Sequence, residues 1–134
     1  IEQISHLCTF VKAPVENLPF DDEMFDMVIT TDVFDPAEVK RVLKPGGDFI
    51  AISLVEDPKL TPIKLAGEWD LELESSLDVT DLAFAFNRAK ETEARLLHES
   101  DMIGAKELIE TMNESITPYT RGGRHYIMRL KKTS

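Results

Sequence analysis

Two apolar runs joined by a short helical segment constrain this chain most strongly. Residues Phe25–Thr30 (FDMVIT) and Phe49–Val55 (FIAISLV) are rich in β-forming residues and are apolar on both faces, as strands covered on both sides are. Between them, Pro36–Leu43 (PAEVKRVL) has apolar residues at helical spacing, with Asp35 as candidate N-cap and Pro36 at a permitted first-turn position. This order predicts a βαβ unit with parallel strands, and therefore an α/β fold.

The turn between this helix and the second strand has a signature of its own. Lys44-Pro45-Gly46-Gly47 follows the helical segment directly. Proline cannot continue a helix, and glycine supplies the positive φ of a tight reversal. The turn therefore fixes where the helix ends and sends the chain back into the sheet.

Weaker patterns flank this unit. The predicted elements are a short strand at Leu7–Val11, a largely irregular stretch at Asp57–Thr80 with a half-exposed strand at Trp69–Glu74, helices at Asp81–His98 and Ala105–Met112, and an edge strand at His125–Leu130. The apolar stripe of the longer helix comprises Leu82, Phe86, Ala89, Leu96 and Leu97. In the last strand, Tyr126, Met128 and Leu130 face one way.

Length and composition restrict the class of protein. The 134 residues, 43% of them hydrophobic, fit one domain spanning residues 1–134. The net charge of −10 argues against nucleic acid or an anionic membrane as a partner. No apolar run approaches the roughly 20 residues of a membrane span. A single cysteine, Cys8, favours a reducing compartment, so we expect a cytoplasmic location and a buried packing role for this residue.

The charge is unevenly distributed. All 25 acidic residues lie in residues 1–117. The basic residues of the acid-free C-terminal segment are Arg121, Arg124, Arg129, Lys131 and Lys132. One interpretation is a last strand whose exposed basic side balances the acidic body. The other is an anion contact at Arg121-Gly-Gly-Arg124, where glycines would let backbone N–H groups approach a ligand.

The spacing of the metal-binding residue types indicates no metal site. His6, His98 and His125 are scattered and share no motif with a cysteine. The acidic loop Asp21-Asp22-Glu23 lacks the glycine and spacing of a calcium loop.

Four segments, in this order and spacing, resemble the class I S-adenosylmethionine-dependent methyltransferases. They are Glu16–Phe20 (ENLPF), Phe25–Val28 (FDMV), Val39–Gly47 (VKRVLKPGG) and Phe49–Ser53 (FIAIS). The resemblance covers about residues 7–56. It implies a partial Rossmann-like α/β fold, with a mostly parallel sheet, flanking helices and an antiparallel terminal strand. It also implies S-adenosylmethionine as cofactor and methyl transfer to an acceptor, a small molecule or a protein, that the sequence does not identify.

The resemblance also implies site residues in the loops after Val11 and after Thr30, where open α/β sheets bind ligands. Val15 and Glu16 match positions beside the adenine ring. Thr31 and Asp32 match positions near the sulfonium end of the cofactor or the substrate. Asp32 is the candidate catalytic acid, although an Asp after a strand is also ordinary turn chemistry.

Departures from the family pattern keep a second hypothesis open. No glycine precedes Gly46, so the family's glycine-rich cofactor loop is absent, and Pro14 stands where an Asp commonly accepts from the adenine amino group. The alternative is a methyltransferase-like interaction or regulatory module without cofactor binding.

The same departures predict that the domain lacks the first βαβ part of the family fold. A strand at Leu7–Val11 would then have no neighbour in its usual position. We expect either a piece of a longer methyltransferase, a sheet completed by another copy or a partner chain, or a shortened fold in which this strand pairs beside Phe25–Thr30.

Overall fold

A single mixed sheet organises the part of the chain that the computed structural model describes, residues 7–99, 110, 114, 118 and 122–133. In chain order the elements are β1 (Phe25–Thr31), α1 (Pro36–Val42), β2 (Leu43–Val55), α2 (Pro62–Glu68), β3 (Glu72–Asp78), α3 (Thr80–Glu99) and β4 (Arg124–Lys131). The strand order is β1-β2-β4-β3, with β1 and β2 parallel and the other two pairs antiparallel. The α/β class, the parallel βαβ unit and the antiparallel terminal strand are confirmed, and the described sheet is mixed.

Local signals set the bounds of α1. The Asp35 Oδ1 accepts the N–H of Glu38 at 3.1 Å, which confirms the predicted N-cap. Gly46 has φ +76°, and a Cβ added at Gly47 would lie 2.8 Å from the Lys44 carbonyl oxygen. Both glycines are therefore required, one by backbone conformation and the other by space.

One face of the sheet, which we call the core face, carries the hydrophobic core. Its buried residues are Phe49, Ala51, Met128 and Leu130 from the strands, with Val39, Leu65 and Ala66 from α1 and α2. The ring of Phe34 lies edge-on to the rings of Phe49 and Trp69, each at 5.1 Å between centroids. The two short helices therefore pack on the same side of the sheet.

The opposite face, which we call the open face, leaves apolar side chains in solvent. Met27 is 49% exposed and Ile29 62%, and Leu77 and Ile127 on β3 and β4 are also exposed. The prediction that the first strand is covered on both faces is therefore wrong within the described residues. β1 has apolar residues on both of its faces, but α1 and α2 both pack on the core face and leave the open face of this strand uncovered.

The predicted strand at Leu7–Val11 is also wrong. These residues form no regular element in the structure, and Phe10 is 79% exposed. Cys8, expected to be buried, is exposed. A strand requires a partner for its backbone hydrogen bonds, and β1 is paired only with β2 among the described residues.

The middle and end of the chain are more regular than predicted. The stretch Asp57–Thr80 contains α2 and β3, and the strand expected at Trp69–Glu74 begins only at Glu72. The last strand is confirmed, with Met128 and Leu130 fully buried on one face. It is not an edge strand, since β4 lies between β2 and β3.

Helix α3 is confirmed in position but not in its buried face. Leu82, Phe86 and Leu96 of the predicted inward stripe are 72%, 62% and 59% exposed. Ala94 and Glu91 are buried instead. The predicted helix at Ala105–Met112 lies outside the described residues, Glu110 excepted. No helix among the described residues is both long and apolar enough to span a bilayer.

Candidate functional site

Asp32 lies at the carboxyl end of β1, the edge where open α/β sheets bind ligands. Its backbone N–H donates to the Ile52 carbonyl oxygen at 2.8 Å, and its Oδ1 accepts the Leu54 N–H at 3.0 Å. Its φ is +63°, a left-handed conformation that Asp tolerates better than most residues. The backbone of β2 therefore holds this carboxylate in a fixed position at the sheet edge.

An open cavity of about 950 Å³ adjoins Asp32. Its described lining residues are Asp32, Leu54, Val79, Leu82, Ala83, Phe86, Asn87, Glu114, Pro118, His125 and Ile127. One wall is the sheet edge and another is the first half of α3. The volume falls within the range of small-molecule sites, roughly 300–1,000 Å³.

Hydrogen bonds fix the start of α3 against the sheet beside this cavity. The N–H of His125 donates to Thr80 Oγ1 at 3.0 Å, and the N–H of Val79 donates to the His125 carbonyl oxygen at 2.8 Å. The Thr80 hydroxyl and backbone N–H both donate to Asp78, and together they lower the pKa of the Asp78 carboxyl. The cavity wall formed by α3 is thus anchored at its N-terminal end.

A second, smaller cavity of about 190 Å³ joins the two predicted ligand loops. Val15 lines it from the first loop, and Val33 and Phe34 line it from the second. Thr30 also lines it, and its Oγ1 is buried without a hydrogen-bond partner among the described residues. The cavity is a mostly apolar slot whose polar lining residues are Thr30 and Asp35.

Two residues of α1 hold the loop that carries Val15. Arg41 donates from Nη2 to the Leu18 carbonyl oxygen at 3.0 Å and from Nη1 to the Phe20 carbonyl oxygen at 2.7 Å. Glu38 Oε2 accepts the Leu18 N–H at 2.8 Å. We call Glu38 and Arg41 the loop clamp.

The two members of the loop clamp also bind each other, with Arg41 Nε donating to Glu38 Oε1 at 2.7 Å. The Arg41 side chain first, and the Leu18 N–H second, lower the pKa of the Glu38 carboxyl from 4.5 to about 2. Sequence reasoning missed this role. The available signal was the i,i+3 spacing of Glu38 and Arg41 on a short helix.

The structure separates the four predicted site residues. Val15 lines the smaller cavity and Asp32 the larger one. Glu16 and Thr31 are exposed and line neither of these two cavities. Val15 and Asp32 therefore mark two neighbouring compartments at one sheet edge.

The basic C-terminal strand is neutralised by its neighbours. Arg129 and Lys131 pair with Glu74 at 3.1 and 3.0 Å, and Arg124 pairs with Asp78 at 3.6 Å. These pairs favour the interpretation in which the strand balances acidic residues. The anion contact predicted at Arg121-Gly-Gly-Arg124 includes Arg121, which lies outside the described residues.

Among the described residues, no group of three or more His, Cys, Asp or Glu could hold a metal ion.

Residues 2–51 match the family model of a methyltransferase domain, a span that contains all four predicted site residues. This match, which covers 50 of the 134 residues, supports membership of the class I methyltransferase superfamily. The resemblance inferred from the LPF, FD and LKPGG segments is thereby confirmed. S-adenosylmethionine is the cofactor of this superfamily, as the resemblance implied.

Curated methyltransferases match the chain over short segments. A phthiotriol/phenolphthiotriol dimycocerosates methyltransferase of Mycobacterium leprae (strain TN) is 37% identical over 75 residues, which are 50% of this chain and 26% of that protein. The protein of that name from Mycobacterium tuberculosis (strain ATCC 25618 / H37Rv) is 48% identical over 48 residues, or 30% of this chain and 18% of that one. The matched part thus spans about a quarter or less of these relatives.

Solved structures share the fold over nearly the whole chain. A Galdieria sulphuraria protein, provisionally assigned as a sarcosine dimethylglycine methyltransferase, has a TM-score of 0.76 and 18% identity, covering 98% of this chain and 62% of that one. The [4+2]-cyclase SpnF has a TM-score of 0.69 and 16% identity, covering 98% and 58%. Geranyl diphosphate methyltransferase, solved in complex with SAM, has a TM-score of 0.54 and 13% identity, covering 90% and 56%. These likenesses concern the fold, and the cyclase illustrates that one fold hosts different reactions.

The residues of the two loops fit part of this cofactor. The slot between Val15 and Phe34 is mostly apolar, which suits the faces of a planar purine ring, and the Thr30 hydroxyl, unpartnered among the described residues, offers the ring a hydrogen bond. Its volume of about 190 Å³ lies below the range of whole-ligand sites, so it suits one ring of the cofactor alone.

Proposed function

We propose that this chain takes part in S-adenosylmethionine-dependent methyl transfer. Val15 and Glu16 contact the adenine end of the cofactor, and Thr31 and Asp32 lie at its sulfonium end. The observation that carries the proposal is the position of Asp32, which Leu54 fixes at the end of β1, in the wall of the larger cavity and inside the family match. No observation on the described residues favours the alternative, an interaction module without a cofactor.

The cofactor supplies a methyl group already activated by its sulfonium. The chain's task is therefore to position the two reactants and exclude water. The loop clamp fixes the Val15 loop, and the β2 backbone fixes Asp32. One oxygen of Asp32 accepts the Leu54 N–H, and the other accepts a hydrogen bond or a proton from the acceptor.

A hydroxyl group is the acceptor that the relatives support. The mycobacterial proteins are named for methylating phthiotriol and phenolphthiotriol dimycocerosates, compounds whose names contain a triol and a phenol. A neutral hydroxyl loses its proton on methylation, which gives a carboxylate such as Asp32 a chemical task.

Calorimetry with S-adenosylhomocysteine tests cofactor binding. The folded chain should give saturable heat, and Val15→Arg, which fills the smaller cavity, should abolish it. Val11→Arg is the matched control, because Val11 is 51% exposed and lines neither cavity. No heat from the folded chain, or equal loss in both variants, would refute the assigned site.

A further inference from the structure

Asp32, Leu54 and His125 form a row across the sheet side of the larger cavity. Asp32 follows β1, Leu54 lies in β2 and His125 lies in β4, and β2 is the strand between the other two. All three residues line the cavity. A carboxylate and an imidazole therefore flank Leu54 from opposite sides.

Backbone hydrogen bonds show how close the His125 side chain lies to Leu54, its register partner. The Leu54 N–H points away from β4, to Asp32 Oδ1 at 3.0 Å. The N–H and the carbonyl oxygen of His125 point away from β2, the first to Thr80 Oγ1 at 3.0 Å and the second to the Val79 N–H at 2.8 Å. Leu54 and His125 are therefore a non-hydrogen-bonded antiparallel pair, in which the Cβ atoms lie only about 4.5–5.5 Å apart.

This spacing brings the side chains of Asp32 and His125 within reach of one bound group. Adjacent strands lie about 4.8 Å apart, so roughly two strand spacings separate the backbones of these residues. The Asp32 side chain spans part of that separation, because its carboxylate reaches the Leu54 N–H. The imidazole ring of His125 spans another part. A hydroxyl group above Leu54 can thus contact both side chains.

We propose that His125 is a second catalytic residue, which receives the proton of the methyl acceptor from Asp32 and releases it to solvent. This rests on the proposed function and adds a residue to the same site. An imidazole ordinarily binds a proton more tightly than a carboxylate does, and it changes charge near neutral pH. His125 is partly exposed and lines an open cavity, which gives the proton a route to solvent.

The proton transfer balances with the residues present. The acceptor oxygen forms a bond to the methyl carbon, and the carbon–sulfur bond breaks with its electron pair remaining on sulfur. The hydroxyl proton passes to the free oxygen of Asp32 and then to the unprotonated ring nitrogen of His125. This restores the Asp32 carboxylate, and the imidazolium gives the proton to solvent.

Carboxylates of the same cavity compensate the positive charge that His125 acquires. Asp32 and Glu114 both line the cavity, and a nearby carboxylate stabilises an imidazolium. The next carboxylate, Asp78 on β3, is already bound by the Thr80 hydroxyl and by Arg124, whose Nη1 lies 3.6 Å from Asp78 Oδ2. Asp32 and Glu114 are therefore the carboxylates that face the same cavity as His125.

The indicator p-nitrophenol tests this proton transfer without the cofactor, because its absorption spectrum distinguishes the phenol from the phenolate. At a pH at which the free probe is mostly protonated, the bound probe should show a phenolate signal, with its proton on His125. His125→Gln should lower the ratio of bound phenolate to bound phenol about tenfold, which corresponds to a change of one in the apparent pKa of the probe. Added imidazole should restore the signal in His125→Ala.

Asn87→Ala is the matched control, because it removes a polar side chain from the same cavity but no base. Its phenolate ratio should equal that of the wild type. The backbone bonds of His125 to Thr80 and Val79 do not involve its side chain, so the variants keep the anchor of α3. A wild type that fails to bind the probe or binds it only as the phenol, an unchanged ratio in His125→Gln, or no rescue by imidazole would overturn the inference.

Calorimetry with S-adenosylhomocysteine on the same samples separates this inference from the proposed function. His125→Gln should leave that binding unchanged, since His125 lines only the larger cavity of the two. Cofactor binding without an effect of His125 on the probe would refute the inference alone. Phenolate formation without cofactor binding would refute methyl transfer, while the proton-accepting role of His125 would stand.

Discussion

The Asp32 carboxylate accepts the Leu54 N–H at 3.0 Å, and this bond joins the end of β1 to the end of β2 at the rim of the larger cavity. One oxygen of this side chain stabilises the turn at φ +63°. In the proposed function, the other oxygen accepts from the methyl acceptor. Substitutions at this residue can separate the structural function from the chemical one.

Asp32→Asn should lower the rate of methyl transfer by roughly 10²-fold, because the amide cannot accept the hydroxyl proton. The free energy of unfolding should change little, since Asn tolerates the left-handed conformation and retains an oxygen for Leu54. Asp32→Ala should additionally reduce the free energy of unfolding by about 1–2 kcal/mol. Single-turnover assays and urea denaturation measure the two effects, and a fully active Asn variant would exclude a role as base.

The loop clamp predicts an acid-sensitive contribution to stability. Glu38 has a folded-state pKa of about 2 against an ordinary value of 4.5, so its contribution is present above pH 4.5 and is lost as pH falls towards 2. Urea denaturation between pH 4.5 and about pH 2 should show a smaller decrease in the free energy of unfolding for Glu38→Gln than for the wild type. An equal decrease in the two proteins would show that the loop clamp does not stabilise the fold.

Gly47→Ala should destabilise the domain by about 1–3 kcal/mol, because the new Cβ would lie 2.8 Å from the Lys44 carbonyl oxygen and 3.0 Å from that of Asp26. Gly67→Ala is the matched control, since it lies in α2 with nothing within 4 Å of the added Cβ. In this control, the higher helix propensity of alanine should raise the free energy of unfolding by about 0.5–1 kcal/mol. Thermal denaturation compares the two variants, and a Gly47→Ala variant as stable as the wild type would contradict the tight turn.

The open face predicts association between copies of the chain or with a partner chain. Ile29 is 62% exposed on β1, a strand paired on one side only among the described residues. Sedimentation velocity should show self-association that Ile29→Lys reduces and Ile63→Lys does not, since Ile63 is 76% exposed on α2. A monomer at all concentrations would remove the homo-oligomer proposal.

The βαβ unit could be predicted from sequence because its determinants are local. Asp35 caps the helix that follows it, and Gly46 adopts the positive φ that its turn requires. The exposure of Ile29 and the absence of a strand at Leu7–Val11 could not be predicted, since both depend on which elements lie alongside. The interior position of β4 is likewise set by long-range pairing rather than by its own alternating pattern.

The candidate site could also be predicted only in part from the sequence. Asp32 was placed by the rule for parallel strand ends and by the family resemblance, and it lies at a cavity. The wall formed by Phe86 was not recognised, because helical spacing alone predicts an apolar stripe without showing whether it faces the core or a cavity. The loop clamp was missed because the i,i+3 spacing of Glu38 and Arg41 does not reveal that Arg41 also binds backbone carbonyl oxygens of another loop.

An NMR titration of the ¹⁵N-labelled chain with S-adenosylhomocysteine tests the central claim most directly. The account predicts saturable shifts of the backbone amides of Val15, Glu16, Thr31 and Asp32, with the amide of Leu96 unmoved as an internal control. A folded spectrum that does not change on addition of the ligand, or shifts confined to residues away from these two loops, would contradict the account.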